Sequence, residues 1–298
     1  ARVFAHVRVL PGERYHFIAS DAPLDGDLRR WSAALDPPAE WIRPGWVEAM
    51  LSPDRQDDVN RALDVPAPVN RDFNPALSRR VFLRRIAEHR VAFGAVEAVL
   101  LAALLFYLLR LRAAPRAVLT IGFAAAGLEF ALLLGFQVLY GSLYRQMGLI
   151  VTLFMIGLAA GAALGTRLRP AGDARRLGLL AAAVAGLALL IPPTLAVLNA
   201  PRFEGVDTSA AQAVIPLWTL LLGALTGAAF PLAARATATD SPGAASEIFT
   251  ADFIGAALGA LLVSMLLIPL MGLFWTCAAT AALNLAAAIP LLRARRVV

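Results

Sequence analysis

Long apolar runs separated by short polar turns occupy most of the chain after residue 90. A helix needs about 20 predominantly apolar residues to cross the hydrocarbon core of a bilayer. Runs of about this length fall at 91–109, 117–140, 147–165, 177–198, 211–234, 253–270 and 273–292. Because backbone in lipid must satisfy its own hydrogen bonds, these runs predict seven membrane-spanning helices, with neighbours packed antiparallel across the short loops.

The first 90 residues follow a different pattern. Residues 3–10 alternate apolar and polar side chains, Pro11 and Gly12 supply a turn, and residues 15–20 form a second β-rich run. This arrangement predicts a β-hairpin. Short helical patches follow at 44–51 and 54–63. We therefore predict two domains, a small soluble one at 1–90 and a transmembrane helical one at 91–298.

Composition agrees with a membrane location and narrows the chemistry. The chain is 59% hydrophobic and only 16% charged, outside the usual range of soluble domains. Its basic residues are all arginines, and those of the second half lie in short loops, where membrane topology explains them without a nucleic-acid partner. The single cysteine, Cys277, excludes an internal disulfide and a cysteine metal site, and we predict no metal.

Several segments resemble a known family. The segments HVRVLPGERYHFIASDAPL at 6–24, LSPDR at 51–55 and NRDFNP at 70–75 are similar to the closing portion of the spermidine synthase-like domain in membrane-bound bacterial proteins. The segments GLEFALLLGFQVLYGSLYRQMGLIVTLFMIGLAAGAALG at 127–165 and ADFIGAALGALLVSMLLIPLMG at 251–272 resemble the membrane half of those fused proteins. The resemblance implies a predominantly α, polytopic helix bundle, preceded by a small α/β remnant of a methyltransferase-like domain. It also implies a bacterial inner membrane.

The chain departs from that family where catalysis would occur. The catalytic half of the family needs a glycine-rich turn after its first strand, so that backbone can approach a nucleoside ligand. Residues 1–90 contain only Gly12, Gly26 and Gly45, which do not form such a turn. No complete site for decarboxylated S-adenosylmethionine or a polyamine can be built from this chain. We expect the catalytic half to lie upstream of Ala1 or on another polypeptide, or to have been lost.

Polar residues inside the apolar runs are the candidates for chemistry. A carboxylate in hydrocarbon is costly and faces a partner or water. Glu129 lies in the middle of the second predicted span, Glu97 about two turns inside the first, and Asp252 near the start of the sixth. They are either a functional polar site or structural groups that are protonated or hydrogen-bonded within the bundle. Possible partners are the polar residues Gln137, Asn284, Thr226 and Ser264.

Glycines recur at four-residue spacing on three of the predicted helices. Such faces allow helices to approach closely. They are either static packing surfaces or the moving interface of a transporter. The glycines concerned are Gly157, Gly161, Gly165, Gly223, Gly227, Gly255 and Gly259.

Three functions remain open at this level. The leading hypothesis is an anchoring or structural subunit of a larger membrane assembly, with lipid and protein partners and without a cofactor of its own. The second is a membrane-tethered aminopropyltransferase whose catalytic half is missing from this chain, and the third is a small-solute transporter using Glu129. If the chain belongs to an enzyme, we expect that enzyme to be an aminopropyltransferase. Arginine counting and the expected cytoplasmic chemistry disagree about the membrane face of residues 1–90.

Overall fold

The structure is a computed structural model, and it describes residues 4–10, 16–23, 49, 52–63, 70–71, 73–88, 92–140, 144–199, 208–237 and 243–293. The chain divides into two compact units, Ala1–Val69 and Asn70–Val298. The predicted boundary between the two domains lies later, after residue 90.

The first unit contains the predicted hairpin. Strands β1 (His6–Leu10) and β2 (His16–Ser20) pair antiparallel, with Leu10 opposite His16. The hairpin is confirmed, although its predicted turn at 11–12 lies outside the described residues. Helix α1 (Pro53–Leu63) coincides with the second predicted helical patch, and all of the first except residue 49 lies outside the described residues. The described part of this unit contains no further strand, and the methyltransferase-like remnant is not confirmed.

The second unit is helical, which confirms a predominantly α fold. Its helices are α2 (Ala76–Glu88), α3 (Ala92–Arg110), α4 (Ala113–Tyr140), α5 (Tyr144–Arg167), α6 (Asp173–Leu198), α7 (Thr208–Thr237), α8 (Ala244–Leu262) and α9 (Ile268–Arg293). One turn of π-helix, Val263–Leu267, joins α8 to α9.

Five helical stretches among the described residues are long and apolar enough to cross a membrane, so the chain is a multi-pass membrane protein. They are Ala113–Leu139, Met147–Arg167, Asp173–Leu198, Ala213–Thr237 and Ala245–Arg293. The predicted count of seven spans is not confirmed. It requires α3 as a span and two separate spans within the last stretch.

A backbone break divides that last stretch. Its 49 residues would extend over about 74 Å as one straight helix, more than twice the thickness of the hydrocarbon core. Gly272 interrupts it with φ of 78°, a conformation that glycine adopts without steric cost. The Leu273 amide that follows donates to the Phe73 carbonyl at 3.1 Å. The segment before α2 thus contacts the backbone at the break, between the helix that ends before Gly272 and the helix that follows it.

Helix α4 lies at the centre of the bundle. It contacts α6, α7, α8 and α9, and most of its apolar residues are buried. Contacts fix the directions of its neighbours. Gly135 of α4 meets Leu195 of α6, so these two helices run parallel, whereas Thr120 near the start of α4 meets Asn284 near the end of α9. Helices α4 and α6 thus run in the same direction and α9 runs opposite to α4, as alternation across short loops predicts.

Candidate functional site

The structure distributes the five predicted polar residues over different parts of the bundle. Glu129 is half-buried on α4, Gln137 is exposed two turns further along α4, and Asp252 is half-buried on α8. Glu97 lies on α3, but its side chain is outside the described set. Among the described side chains, no hydrogen bond or ion pair joins any two members of this group.

Asn284 is the most deeply buried member of the predicted group, with no exposed surface. Its amide nitrogen donates to the Thr120 carbonyl of α4 at 3.2 Å and to the Thr280 carbonyl of its own helix at 3.0 Å. Its amide oxygen is buried without a partner. Asn284 therefore joins α9 to α4 through backbone atoms and does not pair with a carboxyl group.

Two buried threonines of α9, which were not among the predicted candidates, lie on the same helix face as Asn284. The Thr276 hydroxyl donates to the Gly272 carbonyl, and the Thr280 hydroxyl donates to the Thr276 carbonyl. Both side chains are buried. The spacing of 276, 280 and 284 places all three on one helix face, a signal that was present in the sequence.

The other partners suggested from the sequence form local hydrogen bonds. The Thr226 hydroxyl donates to the Leu222 carbonyl at 2.9 Å, and the Ser264 hydroxyl donates to the Ala260 carbonyl at 2.6 Å. Each hydroxyl donates to the carbonyl four residues earlier in the same continuous helical segment, which is how hydroxyl groups are commonly satisfied in apolar surroundings. Neither residue extends a polar path to Glu129.

The recurring glycines lie where two pairs of parallel helices touch backbone to backbone. In the pair α5–α7, a methyl group on Gly157 would overlap the Leu220 carbonyl oxygen, and one on Gly161 would overlap the Ala224 carbonyl. From the α7 side, Gly223 and Gly227 meet the carbonyls of Phe154 and Leu158 in the same way. At the end of the pair, a methyl group on Gly165 would lie 2.7 Å from Pro231 Cγ.

The pair α4–α8 repeats this arrangement with a different polar content. Gly255 and Gly259 of α8 meet the carbonyls of Leu119 and Phe123. On α4, Gly122 gives room to Asp252: a methyl group there would lie 2.9 Å from Asp252 Oδ1 and 3.0 Å from the Asp252 carbonyl oxygen. The carboxyl group thus rests against the backbone of the neighbouring helix.

A pocket of about 460 Å³ lies between the two helix pairs. Its walls come from α4, α5, α7 and α8, and they are mainly apolar, including Ile121, Ala159 and Phe230. Among the described lining residues, Asp252 carries the ionisable side chain, and Thr226 and Gly227 also line the pocket. We call this cavity the Asp252 pocket. Its volume falls within the range of about 300–1,000 Å³ that is typical of ligand sites.

A partly buried ion cluster lies at the end of the bundle where α5 ends and α6 begins. Arg235 Nε donates to Asp173 Oδ2 at 3.0 Å, and its terminal nitrogen donates to the Gly165 carbonyl at 3.0 Å. Arg176 donates to Asp173 Oδ1 at 3.3 Å. Asp173 is only 9% exposed. Membrane topology was the predicted reason for these arginines. In the sequence, only the 173–176 spacing, which suits a helical ion pair, indicates part of the cluster.

The described residues contain no group of three or more His, Cys, Asp or Glu side chains placed to hold a metal ion. Cys277 is buried in the core of the bundle. No protein-family model matches the chain, and no curated protein or solved structure matches it either. The resemblance to spermidine synthase-like proteins therefore stays a prediction, and the residues themselves must carry the functional argument.

Proposed function

We propose that the chain is an anchoring and structural subunit of a membrane assembly. The observation that carries this proposal is the backbone contact within the two glycine-lined helix pairs. Helices packed at this distance resist sliding, because the neighbouring backbones touch at the glycine positions and few side chains lie between them that could rearrange. A bundle built in this way is suited to hold other components at a fixed place in the bilayer.

The distribution of polar groups supports the same proposal over transport through Glu129. A proton or cation relay needs polar groups that connect with one another across the membrane. Within the part of the chain that the structure describes, Glu129 has no hydrogen-bond or ion-pair partner, and the bonds of Asn284 go to backbone carbonyls. Transport by way of Glu129 is therefore the weaker alternative.

The sequence resemblance adds a proposal about the partner. If the chain is similar to membrane-bound spermidine synthase-like proteins, the assembly contains a methyltransferase-like catalytic half that uses decarboxylated S-adenosylmethionine. Such an assembly would be a membrane-tethered aminopropyltransferase, with this chain as its anchor in a bacterial inner membrane. This part rests on the segments at 6–24, 51–55, 70–75, 127–165 and 251–272.

Purification of the protein from its native membrane tests the proposal. We expect a mild detergent to release the chain with other subunits at constant stoichiometry, and intact-mass measurement with peptide sequencing to identify them. Recovery of the chain alone from every detergent tried would contradict an anchoring role. Solute uptake in proteoliposomes of the purified protein that is abolished by Glu129→Gln, with folding intact, would favour transport instead.

A further inference from the structure

The Asp252 pocket contains an unpaired carboxyl group in an apolar part of the bundle. Among the described residues, Asp252 forms no hydrogen bond and no ion pair. It lies eight residues after the start of α8, or about 12 Å along the helix, within a stretch long and apolar enough to cross the membrane. An ionised carboxyl group at such a position is costly unless a cation or a donor accompanies it.

Aromatic rings lie on the same wall as this carboxyl group. Phe230 of α7 and Phe249 of α8 line the pocket, and their ring centroids are 4.4 Å apart at an interplanar angle of 53°. The faces of aromatic rings attract organic cations. Pro231, next to Phe230, also lines the pocket, and because it has no N–H, the Gly227 carbonyl lacks its usual helical donor.

The pocket opens at the outer surface of the bundle. Met155 and Phe249 line it and are 56% and 50% exposed, although both lie in membrane-spanning stretches. A ligand that reaches it must therefore partition into the bilayer first. The walls favour an apolar body, the carboxyl group favours a positive charge, and the described lining residues include no basic side chain.

We propose that the Asp252 pocket binds a lipophilic organic monocation, such as a protonated or quaternary amine or a phosphonium with aromatic or aliphatic substituents. The cation pairs with the Asp252 carboxyl group, and its substituents fill the space bounded by Ile121, Ala159 and Phe230. This binding site goes beyond the anchoring role, and neither proposal requires the other.

Tetraphenylphosphonium and tetraphenylborate provide the test, because they have nearly the same shape and opposite charge. We expect the full chain in detergent to bind radiolabelled tetraphenylphosphonium saturably, at one site per chain after subtraction of empty micelles. Tetraphenylborate should show only non-saturable partitioning. Equal saturable binding of both ions, or of neither, would overturn the proposal.

Matched variants locate the site. Because an ion pair in a low dielectric is lost, Asp252→Asn should weaken phosphonium binding by about tenfold or more. Glu247→Gln, on the same helix but outside the pocket, should leave the affinity unchanged. Binding that survives Asp252→Asn at full affinity would refute the role of the carboxyl group.

A second pair of variants keeps the test decisive if Asp252→Asn does not fold. Ala159→Phe would fill the pocket from α5, while Ala160→Phe adds the same ring on an exposed neighbouring position outside it. We expect the first to abolish saturable binding and the second to preserve it. Equal affinity in both variants would mean that the phosphonium binds elsewhere.

Discussion

The two glycine-lined helix pairs solve the same packing problem and differ in what they surround. In α5–α7, the contact consists mainly of glycine, alanine and backbone atoms, and it ends at Pro231 and the Asp173–Arg235 ion pair. In α4–α8, the contact includes the Asp252 carboxyl group resting against Gly122. The α5–α7 pair thus combines an apolar contact with the Asp173–Arg235 ion pair at its end, which we call the charged clamp. The α4–α8 pair includes the unpaired Asp252 carboxyl group instead. Close backbone contact occurs in both pairs, so the Asp252 carboxyl group is accommodated beside the α4–α8 contact without separating the two helices.

The largest expected effect comes from separating the α5–α7 pair. Gly161→Leu introduces a side chain where even a methyl group would overlap the Ala224 carbonyl and lie 2.9 Å from its Cα. Because backbone must move, we expect a loss of about 3 kcal/mol or more, at the upper end of overpacking effects. Unfolding in a mixed-micelle titration with SDS measures it.

Gly186 provides the control for this change. It also lies inside a transmembrane helix, α6, but a methyl group there would have nothing within 4 Å. Gly186→Ala and Gly186→Leu should therefore leave the unfolding midpoint nearly unchanged. A loss of stability of the same size at both positions would show that the glycines serve helix flexibility, and the contrast between open and closed positions would fail.

The charged clamp should rank second. Arg235→Met leaves Asp173 buried without its closest cation and removes the bond to the Gly165 carbonyl. Breaking a buried pair by removing one partner costs about 3 kcal/mol, and we expect somewhat less here because Arg235 is partly exposed and Arg176 remains. Arg176→Met, which removes the more exposed helical partner, should cost at most about 1 kcal/mol. Equal losses in the two variants would contradict a clamp centred on Arg235.

The sequence was sufficient for features set by composition and local spacing. Apolar runs predicted the long helices because the bilayer fixes their length, and alternation predicted the hairpin now seen at His6–Leu10 and His16–Ser20. The four-residue spacing of Gly157, Gly161 and Gly165 also indicated that they share one face, since such positions align along a helix.

The partners of those faces could not be predicted, because pairing depends on how each helix is rotated and placed. Nothing local indicates that Gly255 meets Leu119 while Gly223 meets Phe154. The same limit applies to the polar residues. Glu129, Gln137 and Asn284 all lie in apolar runs, yet one is half-buried, one exposed and one fully enclosed. The Asp173–Arg235 pair joins residues that are 62 positions apart, beyond any local pattern.

The smallest effect is expected at Asn284, which contacts α4 on the side opposite Asp252. Asn284→Ala removes two hydrogen bonds in which the amide nitrogen donates to helix carbonyls. It also removes a buried amide oxygen that has no partner. These terms oppose each other, and hydrogen bonds between membrane helices average only about 0.6 kcal/mol. We therefore expect a loss of about 1 kcal/mol or less in the same SDS titration. Thr280→Val, which deletes a hydroxyl bonded within its own helix, should change stability still less. A loss at Asn284 as large as that at Arg235 would mean that polar contacts hold α4 as firmly as they hold the end of the α5–α7 pair. In that case, the contrast between the α5–α7 pair, which has a charged clamp, and the α4–α8 pair, which has backbone contact without a clamp, would no longer stand.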